Sequence, residues 1–292
     1  MRTVDEFFAN EPNIVLYHYT SVSGLTGIVE SKTLWASHIY SLNDSSEITH
    51  ARDILKNEIN LKCKQSIPEN EKEFLQQFYD WLDSFTQTPY HIFIFALSEK
   101  GSLLSQWRSY TPHGKGISIG FEPKTLMRKV KEQNFKIAKC LYEPHEQSDL
   151  TRALLDKMLI TFRRECESLD LSKYHPSQRY FLLLDKFRGD ILQVFSTIKH
   201  PAFREEQEWR IISPYFPKYT IPKIKFREGA SMLVSYVEID IKNNNNDSIL
   251  FEKVILGPTS HNNLAMANLS AYLSNKRVCN TTCSSCIPYR EW

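Results

Sequence analysis

Glycine is scarce in this chain, nine residues among 292, and no glycine-rich phosphate loop can be found. That argues against a Rossmann or P-loop mode of nucleotide binding, in which glycines let the backbone approach the phosphates. Charge of one sign is also lacking: 36 Lys and Arg against 34 Asp and Glu leave a formal +2. No dominant basic field marks the chain as a nucleic-acid binder, although nucleic-acid binding is not excluded. No apolar run approaches the roughly 18 residues of a membrane span, so no membrane partner is expected. The opening "MRTVDEFFANEPNIVLYHYT" lacks the uninterrupted apolar stretch of a signal peptide. The six cysteines include three scattered singly, Cys63, Cys140 and Cys166. Reduced thiols and a cytoplasmic location are therefore expected. The remaining three, in "CNTTCSSC" (Cys279, Cys283, Cys286), invite a zinc reading. A structural zinc site needs four ligands, and the nearest histidine upstream is His261, so no metal is expected.

What the chain does have is core-forming material, 41% hydrophobic and 12% aromatic. This suits one large domain over residues 1–292 with helical insertions at about 46–88 and 123–200. "NIVLYHY" reads as a strand, followed by a short helix "SGLTGIVES" capped by Ser21 or Ser23. "TLWAS" is extended, "SLNDSSE" is turn chemistry with Ser45 or Ser46 as a cap, and helices follow over "EITHARDILKNEINL" and from about Glu69 to Phe85. "YHIFIFALS" is the best buried strand, and "GISIGF" returns after a short helix broken by Pro112. "KIAKCLY" interrupts a mainly helical stretch in which "YFLLLDKFRGDILQVFSTIKH" carries one apolar stripe. Strands at "EWRIIS", "VSYVEIDI" and "FEKVILG", a helix "HNNLAMANLSAYLSN" and a last strand near "KRVCN" complete the chain. Strands and helices mixed without βαβ alternation predict an α+β fold.

The stretch "HPAFREEQEWRII" is the least ordinary. Three acids, Glu205, Glu206 and Glu208, run directly into Trp209 and Ile211. On a strand, Glu206, Glu208 and Arg210 share one face while Gln207, Trp209 and Ile211 share the other. The plain alternative is a surface face with a local Glu–Arg pair. Elsewhere, "LYHYTS" places His18 and Thr20 opposite Tyr17 and Tyr19, "LNDSSE" offers Asn43, and "SQWRSY" offers Trp107, Arg108 and Tyr110. Each can be read as core, cap or surface. Together they form a polar and aromatic set at strand ends, as expected of a cleft. The basic segments "MRKVKEQNFKIAK", "FRRE" and "KYTIPKIKFR" suit phosphate contacts, but charge runs are usually solvated faces.

The succession "YHYTS", "LW", "LNDSSE", "FALS", "SQWRSY", "GISIGF", "KHPAFREEQEWRI" and "ILGP" resembles a widespread bacterial domain family of unassigned function. The resemblance runs from about residue 14 to the C-terminal "IPYR". That family in turn is similar to a branch of the ADP-ribosyltransferase superfamily, with a His on the first strand, a polar or aromatic middle motif and a late Glu-x-Glu.

The resemblance implies a split, mixed and antiparallel β-sheet and NAD as substrate. His18 would hydrogen-bond the NAD ribose beside Tyr17, Tyr19 and Thr20, with Asn43 contributing nearby. Glu208 would be the catalytic acid, and Glu206 would help select or activate the acceptor. The middle motif departs from a plain Ser-Thr-Ser, leaving Ser98, Trp107 and Tyr110 as candidates. On chemical grounds a carboxylate beneath the ribosyl cation would stabilise it, with Arg210 keeping that carboxylate ionised. Tyr19, Trp107 or Tyr110 would stack on nicotinamide, and Arg108 would neutralise the pyrophosphate. The implied activity is transfer of ADP-ribose to a nucleic acid or protein, or hydrolysis of NAD. A role in phage defence or a toxin system is an analogy with such families. Two other readings stand beside it. One is a non-catalytic nucleotide- or nucleic-acid-binding module. The other is a magnesium nuclease built on Asp44, Glu47, Glu206, Glu208 and His18.

Overall fold

The structure is a computed structural model that describes residues 2–42, 47–85, 92–166, 174–217, 224–229, 232–243 and 248–287. Among them ten strands form one mixed sheet flanked by helices, an α+β arrangement. The first strand, β1 (Leu16–Thr20), leads into α2 (Val22–Ser31) and β2 (Thr33–His38), after a short α1 (Val4–Phe8). Ser21 caps α2 by accepting from the Gly24 N–H. The helices α3 (Glu47–Cys63) and α4 (Glu69–Phe85) follow, then β3 (Phe93–Ser98), α5 (Leu104–Tyr110), β4 (Ile117–Phe121), α6 (Pro123–Glu132) and β5 (Lys136–Lys139). The helical stretch contains α7 (Pro144–Glu165), α8 (Phe181–Lys186) and α9 (Arg188–Phe195). The one apolar stripe expected there is divided at Phe187. A 3-10 turn (Pro201–Glu206) precedes β6 (Glu208–Ile212), and β7 (Lys225–Glu228), β8 (Leu233–Asp240), β9 (Phe251–Leu256), α10 (Asn262–Lys276) and β10 (Cys279–Ser284) complete the chain. The last strand begins within the "KRVCN" near which it was expected and runs on to Ser284.

The strands run in the order β10-β9-β4-β1-β3-β2-β8-β7, with β6 also on β3 and β5 beyond β6. All pairs are antiparallel except β9 with β10. One edge of β3 is fully paired with β6, from Ile94↔Ile212 to Ser98↔Glu208. The other edge is shared. β2 holds its beginning, at Phe93 and Ile94, and β1 touches only its end, at Ser98. The sheet therefore forks, with β1 and its neighbours in one wing and β2, β8 and β7 in the other.

Alternation sorts the two faces. Phe93, Phe95 and Leu97 pack with Leu34, Ala36, Trp209 and Ile211 beneath α2, α6 and α10. Ile94 and Ile212 turn the other way, into a core shared with α1, α3, α4 and α7 to α9. The same face of the β1 wing is covered at Tyr19 by Trp107 of α5. In the β2 wing it carries Trp35, Ser37 and Tyr236, partly open.

The connection between the wings is α2, whose Gly27 would point an added Cβ into open space. Gly27→Ala should raise stability by about 0.5–1 kcal/mol through lost unfolded-state freedom. Ser21→Ala should lower it by about 1 kcal/mol through the lost cap. Opposite shifts of the thermal midpoint in the two variants check this; shifts of one sign would contradict the helix geometry.

Candidate functional site

The fork opens into a cleft of about 880 Å³, inside the roughly 300–1,000 Å³ range of ligand pockets. Its walls come from both wings and from the edge of β3 left between them. His18 and Thr20 arrive from β1, Gly24 and Gly27 from α2, Trp35 and Ser37 from β2, and Phe95 and Ala96 from β3. Tyr110 from α5, Phe203 from the 3-10 turn and Arg227 from β7 enclose it further. Glu47, Lys199, Glu208 and Arg210 also line it.

Those four residues form one buried charge cluster with Glu206. Glu208 and Arg210 are on β6, two apart and on one face, as alternation requires. Their face meets the N-terminus of α3, where Glu47 sits. The Arg210 guanidinium forks onto Glu47 at 2.6 and 2.8 Å and reaches Glu208 at 2.7 and 3.2 Å. It also donates to the Ser196 carbonyl at 2.8 Å. Lys199 donates to Glu208 at 2.6 Å, ion-pairs with Glu206, and lies 3.7 Å from Glu47. Exposure is 3% for Glu47 and Lys199, 6% for Glu208 and 2% for Arg210. Such burial is tolerable only because every charge is paired and hydrogen-bonded. Three carboxylates facing two cations leave one formal negative charge.

Burial alone would raise the Glu208 carboxyl, but Arg210 and then Lys199 outweigh it and hold it below the usual range. Burial likewise opposes the Lys199 ammonium, yet Glu208 foremost and Glu206 beside it keep its pKa above the ordinary lysine value. Lys199 is thus a fixed cation rather than a base. Tyr110 has its pKa raised by burial and by the negative charge of Glu206, to which its hydroxyl donates at 3.2 Å.

His18 lies on the opposite sheet face from Glu208 and reaches the cleft through the fork. Its ring stacks on Phe95, with centroids 4.2 Å apart. Its Nδ1 lies 3.0 Å from the Ala96 carbonyl. A carbonyl only accepts, so Nδ1 carries the proton and Nε2 is left as an acceptor. Burial pushes the imidazole down to about 4, so it is neutral at physiological pH.

Several sequence expectations need correction. Glu206 is not on the strand: it ends the 3-10 turn, and Gln207 takes a left-handed conformation (φ 43°) that breaks the alternation. Its carboxylate meets Glu208 only through Lys199. Trp107 is wholly buried against Tyr19 and offers no stacking face to a ligand. Tyr19 lines the cleft as expected but is largely buried, its hydroxyl donating to the Lys100 carbonyl and accepting from the Leu103 N–H. Tyr17 lines only a smaller adjoining niche with Gln106. Ser98 turns inward, donating to the Glu206 carbonyl and accepting from the Lys100 N–H, so it positions the turn. Arg108 is exposed on α5 and is not among the cleft residues. Thr20, Tyr110 and Arg210 do line the cleft, Arg210 through its salt-bridge cluster. Asn43, Asp44, Ser45 and Ser46 lie outside the described residues.

Sequence reasoning missed Lys199, Phe203, Trp35 and Arg227, and weighed Glu47 only as a metal ligand. The signal for Lys199 was its place in "KHPAFREE": buried acids demand cations nearby. Arg227 was signalled only collectively, as the end of the basic segment "KYTIPKIKFR" that suits phosphate contacts, and nothing local distinguished it from a solvated charge run. Among the described residues no three His, Cys, Asp or Glu are arranged to hold a metal. The partners of Glu47, Glu206 and Glu208 are ammonium and guanidinium groups instead. No helix among the described residues is long and apolar enough to cross a membrane.

Residues 106–211 match the family described as "Protein of unknown function (DUF2971)". The matched span runs from α5 to β6, so it includes Tyr110, Lys199, Glu206, Glu208 and Arg210 but neither His18, Glu47 nor Arg227. No curated protein and no solved structure matches the chain. Nothing in these comparisons connects it to the ADP-ribosyltransferases.

Two measurements probe the cluster and the imidazole beside the cleft. Arg210→Met strands Glu47 and Glu208 and should cost about 3–5 kcal/mol in denaturant unfolding; a loss below 1 kcal/mol would mean the carboxylates relax into water. The second is a pH titration of stability. His18 has its folded pKa depressed from 6.5 to about 4, so the unfolded chain binds the proton more readily between those values. Stability should be greatest above about pH 6.5 and fall towards pH 4 by up to about 3 kcal/mol, less where water reaches the ring. Further acid should continue the loss through Glu208, whose folded pKa is also lowered. His18→Gln should flatten the segment between pH 4 and 6.5, and an unchanged slope would remove His18 as its source.

Proposed function

We propose that the protein is an NAD-consuming glycosyl-transfer enzyme that moves ADP-ribose to a nucleic acid or protein, or to water. The observation that supports this best is an ionised carboxylate, Glu208, lining a ligand-sized cleft also reached by a neutral imidazole. Cleavage of the bond between nicotinamide and ribose sends the bonding pair out with nicotinamide. It leaves positive charge on the ribosyl carbon and ring oxygen. Glu208 would stabilise that charge, with Arg210 and Lys199 keeping its position and ionisation fixed before the reaction begins. His18 Nε2 would accept from a ribose hydroxyl. Tyr110 and Phe203, both about a third exposed beside the cluster, replace Trp107 and Tyr19 as candidate walls for a flat ring. The acceptor's nucleophilic atom would then bond to the ribosyl carbon and release its proton, which Glu206, in the adjoining niche and joined to Glu208 through Lys199, would accept.

A second reading, a non-catalytic nucleotide-binding module, is favoured by one observation. Both oxygens of Glu208 are already engaged by Lys199 and Arg210. A role in phage defence or a toxin system rests on analogy and adds nothing to the chemistry.

Nicotinamide release from NAD, with RNA, DNA or cell lysate added in turn, separates the readings. The enzyme predicts release that falls by about 100- to 1,000-fold in Glu208→Gln, with NAD binding largely kept. The addition that accelerates release identifies the acceptor class. Binding without release under any addition would favour the module, and neither binding nor release would end both nucleotide readings.

A further inference from the structure

Three cations line the cleft, and they differ in how their charge is met. Lys199 and Arg210 are neutralised by glutamates. Arg227 is not: among the described residues no carboxylate pairs with it. Its terminal nitrogen donates to the Ser37 hydroxyl at 3.1 Å, and its Nε is buried without a hydrogen-bond partner. A buried guanidinium donor left unsatisfied costs free energy that a bound anion would recover.

The strand register gives Arg227 its surroundings. Ser37 lies opposite Tyr236, and Tyr236 opposite Lys225. Ser37, Tyr236 and Lys225 therefore share one sheet face, which Trp35 and Arg227 join at two-residue steps. Trp35 stacks on Tyr236 with centroids 4.5 Å apart and stays 39% exposed in the cleft wall. The guanidinium thus reaches β2 at Ser37, two residues from the braced aromatic surface of Trp35.

Their distance from Glu208 follows from the same register. Ser37 faces Ile94, whereas Glu208 faces Ser98 on the far edge of β3. Four residues along and two strand spacings across put the two main chains roughly 16 Å apart. A free phosphate or a single sugar does not span that interval. A nucleoside diphosphate carrying a second sugar does.

We propose that Arg227, with Ser37, is the anchor for the phosphate groups of a nucleoside diphosphate ligand, whose base lies on Trp35. This deepens the glycosyl-transfer reading, on which it rests, by fixing the ligand's direction: phosphates and base in the β2 wing, scissile ribose at Glu208. It also assigns to Arg227 the phosphate role that the sequence pointed to Arg108 for.

The test is titration calorimetry of the full chain with ADP, AMP and adenosine, in the wild type, Arg227→Gln, Arg227→Lys and Trp35→Ala. Arg227→Gln should weaken ADP by about 10- to 100-fold and leave adenosine unchanged, with Arg227→Lys recovering part of the loss. Trp35→Ala should weaken adenosine and ADP alike. In nicotinamide release, Arg227→Gln should raise KM for NAD with little change in kcat. Equal weakening of ADP and adenosine in Arg227→Gln would reduce Arg227 to a structural part of β7, and wild-type protein that ignores ADP would overturn the anchor outright. The two proposals fail separately. Arg227-dependent ADP binding without release keeps the anchor and removes the enzyme. Glu208-dependent release with an unchanged KM in Arg227→Gln does the reverse.

Discussion

Arg210 is the interaction on which the rest of this structure depends. It sits on the strand paired along the full edge of β3, and its five donors are shared among Glu208, the Glu47 carboxylate at the start of α3 and the Ser196 carbonyl behind α9. One side chain therefore ties the sheet to two pieces of the helical layer. The arrangement suits both ends. A carboxylate in the first turn of α3 gains from the helix dipole, and a planar guanidinium can satisfy two carboxylates where an ammonium could not. Replacing a buried ion cluster by well-packed apolar residues is often neutral or stabilising, so stability alone does not account for these charges. What the charges secure is geometry: Glu208 is held in place and held ionised.

The fork in the sheet supplies the space. Had β1 and β2 both paired along β3, the edge at Phe95–Leu97 would be closed and His18 and Glu208 would face away from each other across a continuous sheet. Because they part, the backbone between them is open, and His18 spends one ring nitrogen on the exposed Ala96 carbonyl. An unpaired backbone acceptor is thereby satisfied by a side chain that also serves the cleft. Gly24 and Gly27 of α2 keep the helix that bridges the wings from filling the opening. Fold and site are one construction here.

Much of this was legible in the sequence. The alternation in "LYHYTS" and in "EWRII" correctly separated His18 from Tyr17 and Tyr19, and Glu208 with Arg210 from Trp209 and Ile211. Turn and cap chemistry placed α2, α3 and α4 closely. Reasoning by pattern failed where a residue's role depends on something distant. Trp107 could be read as core or as a ligand wall, and nothing local said that Tyr19 would bury it. Glu206 looked like the next step of a strand, because a left-handed Gln207 has no glycine or asparagine to announce it. "KIKFR" alternates charge with Ile224 and Phe226, yet without its partner β8 it reads as a solvated run. The fork could not be read from pattern, since strand pairing is a property of the whole chain; a split sheet was implied only by the family resemblance.

The acids that precede Trp209 are explained by the charge count. Glu206 could be absent and the cluster would balance: Glu47 and Glu208 against Lys199 and Arg210. Its presence leaves the cluster one carboxylate in excess of its cations, with Lys199 shared between Glu206 and Glu208 and Tyr110 donating to Glu206. A purely structural network gains nothing from that excess, which weakens the burial of its neighbours. A site meant to receive positive charge does gain, because the excess is offset only when such charge arrives. Under the proposed reading that charge enters with the nicotinamide ring and passes to the ribose as the bond breaks, beside the cluster in which carboxylates outnumber cations and away from Arg227 in the β2 wing.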